Sequence, residues 1–313
     1  MSMPVIQAPK PNKNVVDFVK SNRDEVKAMM KEAGAVKFKG FKVKEDATAK
    51  ILEKLGIKLG EDVFWSTPRQ RVKGKVFTAT EFDKTREIML HCEAAYAKSY
   101  PRILCFHAVK AAEVKGGTTF ADLDAVSADL GDIVDQFAQR GVRYVRCYRD
   151  MIDIPLSKAF GTDDKDEAKK RAEAKGMEVD FTADGAMRSA HTVRGALPDS
   201  AAGKPVHFNQ AHMFHPSRLA EKDREALTKL FGEDGLPRQS QWGDGEPIPD
   251  DVINRIVDTL AAHTQVIAWE DSDVVLIDNL RFMHGRQTYD GTRRVITAMG
   301  NNQTTEERTP LAI

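Results

Sequence analysis

The residues best suited to chemistry are His91 and Glu93, in Leu90-His91-Cys92-Glu93-Ala94-Ala95-Tyr96. On a β-strand, residues i and i+2 share a face, so the pair would present an imidazole and a carboxylate side by side. Alone it reads more readily as a surface pair on an ordinary strand, because His-x-Glu arises readily by chance. Two ligands on one strand with one distant histidine would form a facial triad of the kind that holds non-haem iron and leaves three coordination positions open. The distant candidate is His284, at the end of the apolar run VVLIDNLRFM. Arg294 follows ten residues later, across the turn GRQTYDGTR. A buried arginine suits a dicarboxylate, because its planar fork pairs bidentately with a carboxylate. Thr119, after Gly116-Gly117, would add a hydroxyl to the same group. The four features in this order are far more specific than any one alone.

These residues need elements to hold them. Val15, Phe18, Val19, Val26, Met29 and Met30 fall near a 3.6-residue period that closes at Gly34, which predicts a helix from Asn14. AVKFKGF (35–41) alternates and predicts a strand, and a short helix fits 46–55. Residues 65–87 are polar, basic and turn-rich, a long excursion before the His91 strand. YPRILCFHAVKAAE (100–113) reads as a buried strand, and 122–140 as an amphipathic helix. The charge-dense 156–188 region is helical in pattern, and further helices are expected near 217–231 and 250–263. Asp273-VVLIDNLRFMHGR reads as one strand ending at the histidine, with Thr292-RRVITAMG as its antiparallel successor. The expected organisation is a flexible N-terminus over 1–13 and a single domain over 14–313, with a helical insertion around 122–200. Regular βαβ alternation and a phosphate loop are absent. The fold class is therefore mainly β with added helices (α+β), built on an antiparallel barrel or jelly roll.

Bulk properties narrow the function. The chain has 313 residues, enough for a sizeable core, and 47 basic against 47 acidic residues. A formal net charge of zero gives no electrostatic case for nucleic acid or an anionic membrane as partner. Three scattered cysteines imply no disulfide framework, and no stretch approaches the roughly 18 apolar residues of a membrane span. The expectation is a soluble cytoplasmic protein, and a removed organellar leader is compatible with it.

The sequence resembles the TauD/TfdA-like Fe(II)- and 2-oxoglutarate-dependent dioxygenases, in the branch of SyrP-like and clavaminate-synthase-like enzymes. The resemblance runs from GAVKFKGF through STPR, TATEF, LHCEAAY, GGTTFAD, GVRYVR, HFNQAHMFH, WGDGEPI and DNLRFMHGR to RRVITAMG. It implies a double-stranded β-helix, with His91, Glu93 and His284 as Fe(II) ligands and Thr119 and Arg294 on the distal carboxylate of 2-oxoglutarate. The branch usually has Asn between the ligands and a GGET-type turn, where this chain has Cys92 and Thr118. Halogenating relatives carry a small residue in place of the carboxylate, so Glu93 argues against halogenation. The implied reaction consumes O2 and 2-oxoglutarate and abstracts hydrogen from a C–H bond. Hydroxylation or oxidative cyclisation of an amino acid, or of an acidic molecule derived from one, would follow. Kainoid synthases of red algae, which close a pyrrolidine ring on an N-prenylated glutamate, are similar enzymes.

Candidate substrate contacts are Arg286, Asn209, Arg69 and Arg71, each with a plain alternative. Arg286 equally salt-bridges at the barrel mouth, Asn209 equally belongs to a structural turn, and Arg69, Arg71, Lys73 and Lys75, each taken singly, read more readily as a solvated face. His207, His212 and His215 read as structural rather than as a metal site. Cys92 is expected in the core, and Trp65 and Trp242 in packing. Two rivals stand: a zinc hydrolase, which has no need of Arg294, and a non-catalytic binding protein on a jelly-roll scaffold.

Overall fold

The strongest strand signals lie in a seven-stranded sheet whose two faces are both buried. In a computed structural model describing residues 3–60, 69–199, 203–304, 307–311 and 313, its order is Val5–Gln7, Ala35–Lys39, Val274–Asp278, Tyr100–Lys110, Arg294–Gln303, Val76–Thr78 and Arg71–Lys73. Only the first pair is parallel. Side chains alternate between faces. Ile103, Cys105, Val274, Leu276, Ile296 and Ala298 pack against helices Val15–Ser21, Arg23–Ala33 and Ala47–Lys54. Leu104, Phe106, Ala108, Val275, Ile277 and Val295 point the other way, with Phe120, Ile267 and Phe282 of a second sheet. Burial on both faces explains why these strands read as unbroken apolar runs.

The second sheet is antiparallel, in the order Gln265–Ile267, Thr118–Asp122, Phe282–Arg286, Ile88–His91. The two sheets face each other as the halves of the jelly roll, and the chain is α+β as expected. A third core lies behind the second sheet. There Leu90, Ala121 and Met283 meet helices Leu123–Leu130, Asp132–Arg140 and Asp250–His263, together with Tyr144 and Trp242. Asp122 ends its strand and caps the next helix, accepting from the Asp124 and Ala125 amides at 3.0 Å each. Asp122→Ala is expected to lower unfolding stability by about 1 kcal/mol, read as a shifted urea midpoint at unchanged slope.

Four expectations are corrected. Val5–Gln7 is not a loose terminus, because it pairs with Ala35–Lys39. The 122–200 insertion is not simply helical. It supplies Val142–Tyr148, Glu178–Phe181 and Met187–Val193 to a third sheet completed by Arg238–Trp242. The run from Asp273 to Arg286 is two strands in different sheets, since the chain crosses between them at Asp278–Arg281. Arg294–Gln303 is therefore not the neighbour of the His284 strand; it pairs with Tyr100–Lys110 and Val76–Thr78. The crossing is tightly held. The Asp278 carboxylate takes both the Nε (2.6 Å) and an Nη (2.9 Å) of Arg102. Gly34 is left-handed (φ +71), and a Cβ there would collide with Arg281 and Phe282.

Candidate active site

His91 and His284 sit directly opposite each other on adjacent strands, with ring centroids 4.5 Å apart. His91 donates from Nδ1 to the Met89 carbonyl at 2.8 Å, which fixes the ring and leaves Nε2 as the open lone pair. Burial, followed by His284, pushes the His91 pKa down to about 4, so the ring is neutral near pH 7. The Nε2 of His284 lies 3.5 Å from Glu93 Oε2, while its Nδ1 is buried with no hydrogen-bond partner. The donor atoms of His91, Glu93 and His284 all lie within 4.8 Å of one another, and all three residues are buried. Two imidazoles and one carboxylate at this spacing fit Fe(II) with open positions.

Glu93 does not reach this place by strand pleat. The Ile88–His91 strand ends at His91, and the chain turns left-handed at Ala94 (φ 56). Asn279, in the crossing between sheets, replaces the missing ladder partner. Its Oδ1 accepts from the Glu93 amide at 2.7 Å, and its Nδ2 donates to the Glu93 and Pro101 carbonyls at 3.0 and 2.9 Å. The neighbouring carbonyls are also held, Cys92 by Gln210 Nε2 (2.7 Å) and Leu90 by His212 Nε2 (2.9 Å). Burial alone would raise the Glu93 carboxyl pKa. Arg69, with the two histidines, outweighs it and holds the group well below the usual carboxylate range. Arg69 Nη2 sits 2.8 Å from Glu93 Oε2.

One cavity opens on the triad, lined by Arg69, Thr118, Arg286 and Arg293 among others. The strand registers turn Thr118 and Arg293, rather than the expected Thr119 and Arg294, toward this cavity. His284 pairs with Phe120, Gly285 with Thr119 and Arg286 with Thr118. Opposed residues share a face, so Thr118 is on the His284 side and Thr119 is on the other. At the last strand the pairing slips between Arg294 and Val295. Arg294 is half-exposed and pairs with Glu45, whereas Arg293 lines the cavity. Arg293 Nε donates to the Gly116 carbonyl at 2.8 Å, and among the described residues no carboxylate lies within ion-pair reach of it. Burial, then Arg286, pushes its pKa down to about 10, the signature of a cation placed without a counter-ion.

The remaining candidates divide. Arg286 lines the cavity, and its guanidinium takes the carbonyls of Phe82 (3.0 Å), Asp83 (2.6 Å) and Arg86 (2.7 Å) rather than a salt bridge. Arg71 is exposed in the 71–78 hairpin and donates to Gly74 O. Asn209 is fully buried away from the cavity, donating to Gly195 O (2.6 Å) and accepting from Ala211 N (2.9 Å), so it is a structural amide. Lys73 meets Asp46 and Lys75 meets Leu59 O. His207 packs edge-on to Phe137, and His215 bonds Ile248 O at 2.9 Å. Cys92 and Trp242 are core residues, and Trp65 lies outside the described residues.

The family model for "Taurine catabolism dioxygenase TauD, TfdA family" matches residues 4–299. The chain belongs to that family. TauD/TfdA relatives include the dapdiamide synthesis protein DdaC of Enterobacter agglomerans, 31% identical over 275 residues, spanning 87% of this chain and 83% of that protein. A clavaminate synthase-like protein of Arabidopsis thaliana is 30% identical over 297 residues, spanning 90% and 86%. The fold is shared with an asparagine oxygenase crystallised with Fe(II), 3-hydroxyasparagine and succinate (TM-score 0.56, 11% identity, 90% of this chain and 79% of that one). It is shared too with PvcB of Pseudomonas aeruginosa (TM-score 0.52, 13% identity, 95% and 84%). With the His91/Glu93/His284 triad in place, this TauD/TfdA member is an Fe(II)/2-oxoglutarate-dependent dioxygenase with a double-stranded β-helix core. Among the described residues no helix is long and apolar enough to cross a membrane.

Proposed function

We propose that this dioxygenase acts on an amino acid or an acidic small molecule derived from one, by C–H abstraction leading to hydroxylation or oxidative cyclisation. One observation carries the reading: three arginines, Arg69, Arg286 and Arg293, line the cavity that opens on the triad, and among the described residues no carboxylate lies within ion-pair reach of Arg293. That excess of positive charge suits two anions, the cosubstrate and a carboxylate-bearing substrate. The similarity to a dapdiamide synthesis protein supports small-molecule biosynthesis.

In this reading His91, Glu93 and His284 hold Fe(II), which with O2 and 2-oxoglutarate supplies the oxidant for the C–H bond. Arg293 binds the distal carboxylate of 2-oxoglutarate through its free Nη edge, and Thr118 donates its hydroxyl to the same group. Arg69 holds Glu93 Oε2 and turns the carboxylate toward the two imidazoles. Arg286 tethers the segment that follows Ala79 and Thr80, both of which line the cavity. Substrate position over the centre then decides between a gained oxygen and a closed ring.

The test is succinate release with iron, ascorbate and 2-oxoglutarate across free amino acids, N-alkylated amino acids including an N-prenylated glutamate, and neutral and sulfonate controls, with product masses. Stimulation by carboxylate-bearing amino acids is expected. A mass gain of one oxygen marks hydroxylation, and loss of two hydrogens marks cyclisation or desaturation. Stimulation confined to the neutral or sulfonate compounds would refute the substrate class.

A further inference from the structure

A residue outside the cavity controls what Thr118 can offer to a ligand within it. The indole Nε1 of Trp269 lies 3.0 Å from Thr118 Oγ1. An indole N–H only donates, so Thr118 Oγ1 is the acceptor. A hydroxyl carries one proton, and with a lone pair committed to Trp269 that proton must be turned elsewhere. Among the described residues Thr118 Oγ1 has no other hydrogen-bond partner, and its side chain is buried at the cavity wall, where Arg293 also stands. Trp269 also has a cation over its ring face. Lys37 Nζ lies 6.0 Å from the ring centroid, bonds the Ala268 carbonyl at 2.8 Å and pairs with Asp273 at 2.7 Å. The indole, partly buried, packs against the core between the two sheets and meets Thr118 through its N–H.

We propose that Trp269 is a positioning residue for 2-oxoglutarate: by donating to Thr118 it orients the threonine hydroxyl as a donor toward the cosubstrate's distal carboxylate. The inference rests on the reading of Thr118 as a contact of that carboxylate. Donation into the hydroxyl oxygen also polarises its O–H, which strengthens the onward bond to an anion. Trp269 would therefore govern discrimination between a keto acid that ends in a carboxylate and one that does not.

The experiment titrates 2-oxoglutarate and 2-oxopentanoate, its equal in chain length without the distal carboxylate, into Mn(II)-loaded protein by calorimetry. Trp269→Phe keeps a ring beside Lys37 and removes the N–H; Thr118→Val removes the hydroxyl; Thr118→Ser retains it. Trp269→Phe and Thr118→Val are each expected to weaken 2-oxoglutarate about five- to tenfold, with 2-oxopentanoate changed less than about twofold. The double variant should lose no more than Thr118→Val alone, and Thr118→Ser should keep near wild-type affinity. Wild-type affinity in Trp269→Phe, equal losses for both keto acids, or full additivity in the double variant overturns the proposal. Wild-type affinity in Thr118→Val overturns it together with the reading it rests on, whereas a loss there with Trp269→Phe unaffected removes Trp269 alone.

Discussion

Arg293→Leu is expected to weaken 2-oxoglutarate binding by roughly a hundredfold or more, while Arg294→Leu, one residue away, changes it less than about twofold. The difference follows from where each charge sits. Arg293 is largely buried and faces the triad cavity; among the described residues it commits only its Nε, to the Gly116 carbonyl, so its two Nη groups remain for a carboxylate. Charge-assisted hydrogen bonds contribute about 1.5–3 kcal/mol each, and a bidentate pair makes two of them. Arg294 pairs with Glu45 at side-chain exposures of 40% and 50%, where an ion pair is worth about 0–1 kcal/mol and touches nothing in the cavity. Titrating 2-oxoglutarate into the Mn(II)-loaded variants gives the comparison directly. Equal losses in the two variants would place the cosubstrate elsewhere.

Asn279→Ala should cost about 10–100-fold in metal affinity, the usual range when a partner that orients a ligand is removed. It should also lower thermal stability. The substitution leaves the Glu93 amide and two carbonyls without their partners in a fully buried place. Each such orphan costs about 1–3 kcal/mol, so the Glu93 turn is expected to relax toward other partners and carry its carboxylate away from the histidines. Co(II) titration followed by ligand-field absorption separates the two effects: a structural role alone lowers the melting temperature and leaves the spectrum and the affinity unchanged. Asn279→Asp keeps the acceptor for the Glu93 amide but loses both N–H groups, and adds a buried charge beside the ligand turn. Recovery of wild-type metal affinity in that variant would contradict the role given to Nδ2.

The triad was legible in the sequence from the order of its donors and the family resemblance. Glu93, however, arrives by the turn that Asn279 holds and not by the strand pleat that i, i+2 spacing implies. The residues one step away from the triad were not legible. Thr118 and Thr119 are adjacent and chemically identical, and only the pairing of Phe120 with His284 tells which faces the centre. Arg293 and Arg294 are likewise distinguished by an irregularity at one strand end, which counting from an ideal strand cannot foresee. The run VVLIDNLRFMHG looked continuous because both halves are buried. Asp278-Asn279 was the available turn signal within it, and it marks the crossing on which the ligand turn depends. Trp269 carried no signal of its own, since a tryptophan near a strand is ordinarily packing.

Arg286 grips Phe82, Asp83 and Arg86 by their main-chain oxygens, and a carbonyl is the same whatever side chain follows it. The strap is therefore anchored from outside through its main chain, while within it Asp83 Oδ1 accepts from the Thr85 amide (2.9 Å) and hydroxyl (2.8 Å). Phe82 and Arg86 give only carbonyls to Arg286, so their side chains can be exchanged in evolution or by design without removing an anchoring acceptor. Variation in the strap would reach a substrate through Ala79 and Thr80, which line the cavity just before it, and would leave the three metal-ligand candidates untouched.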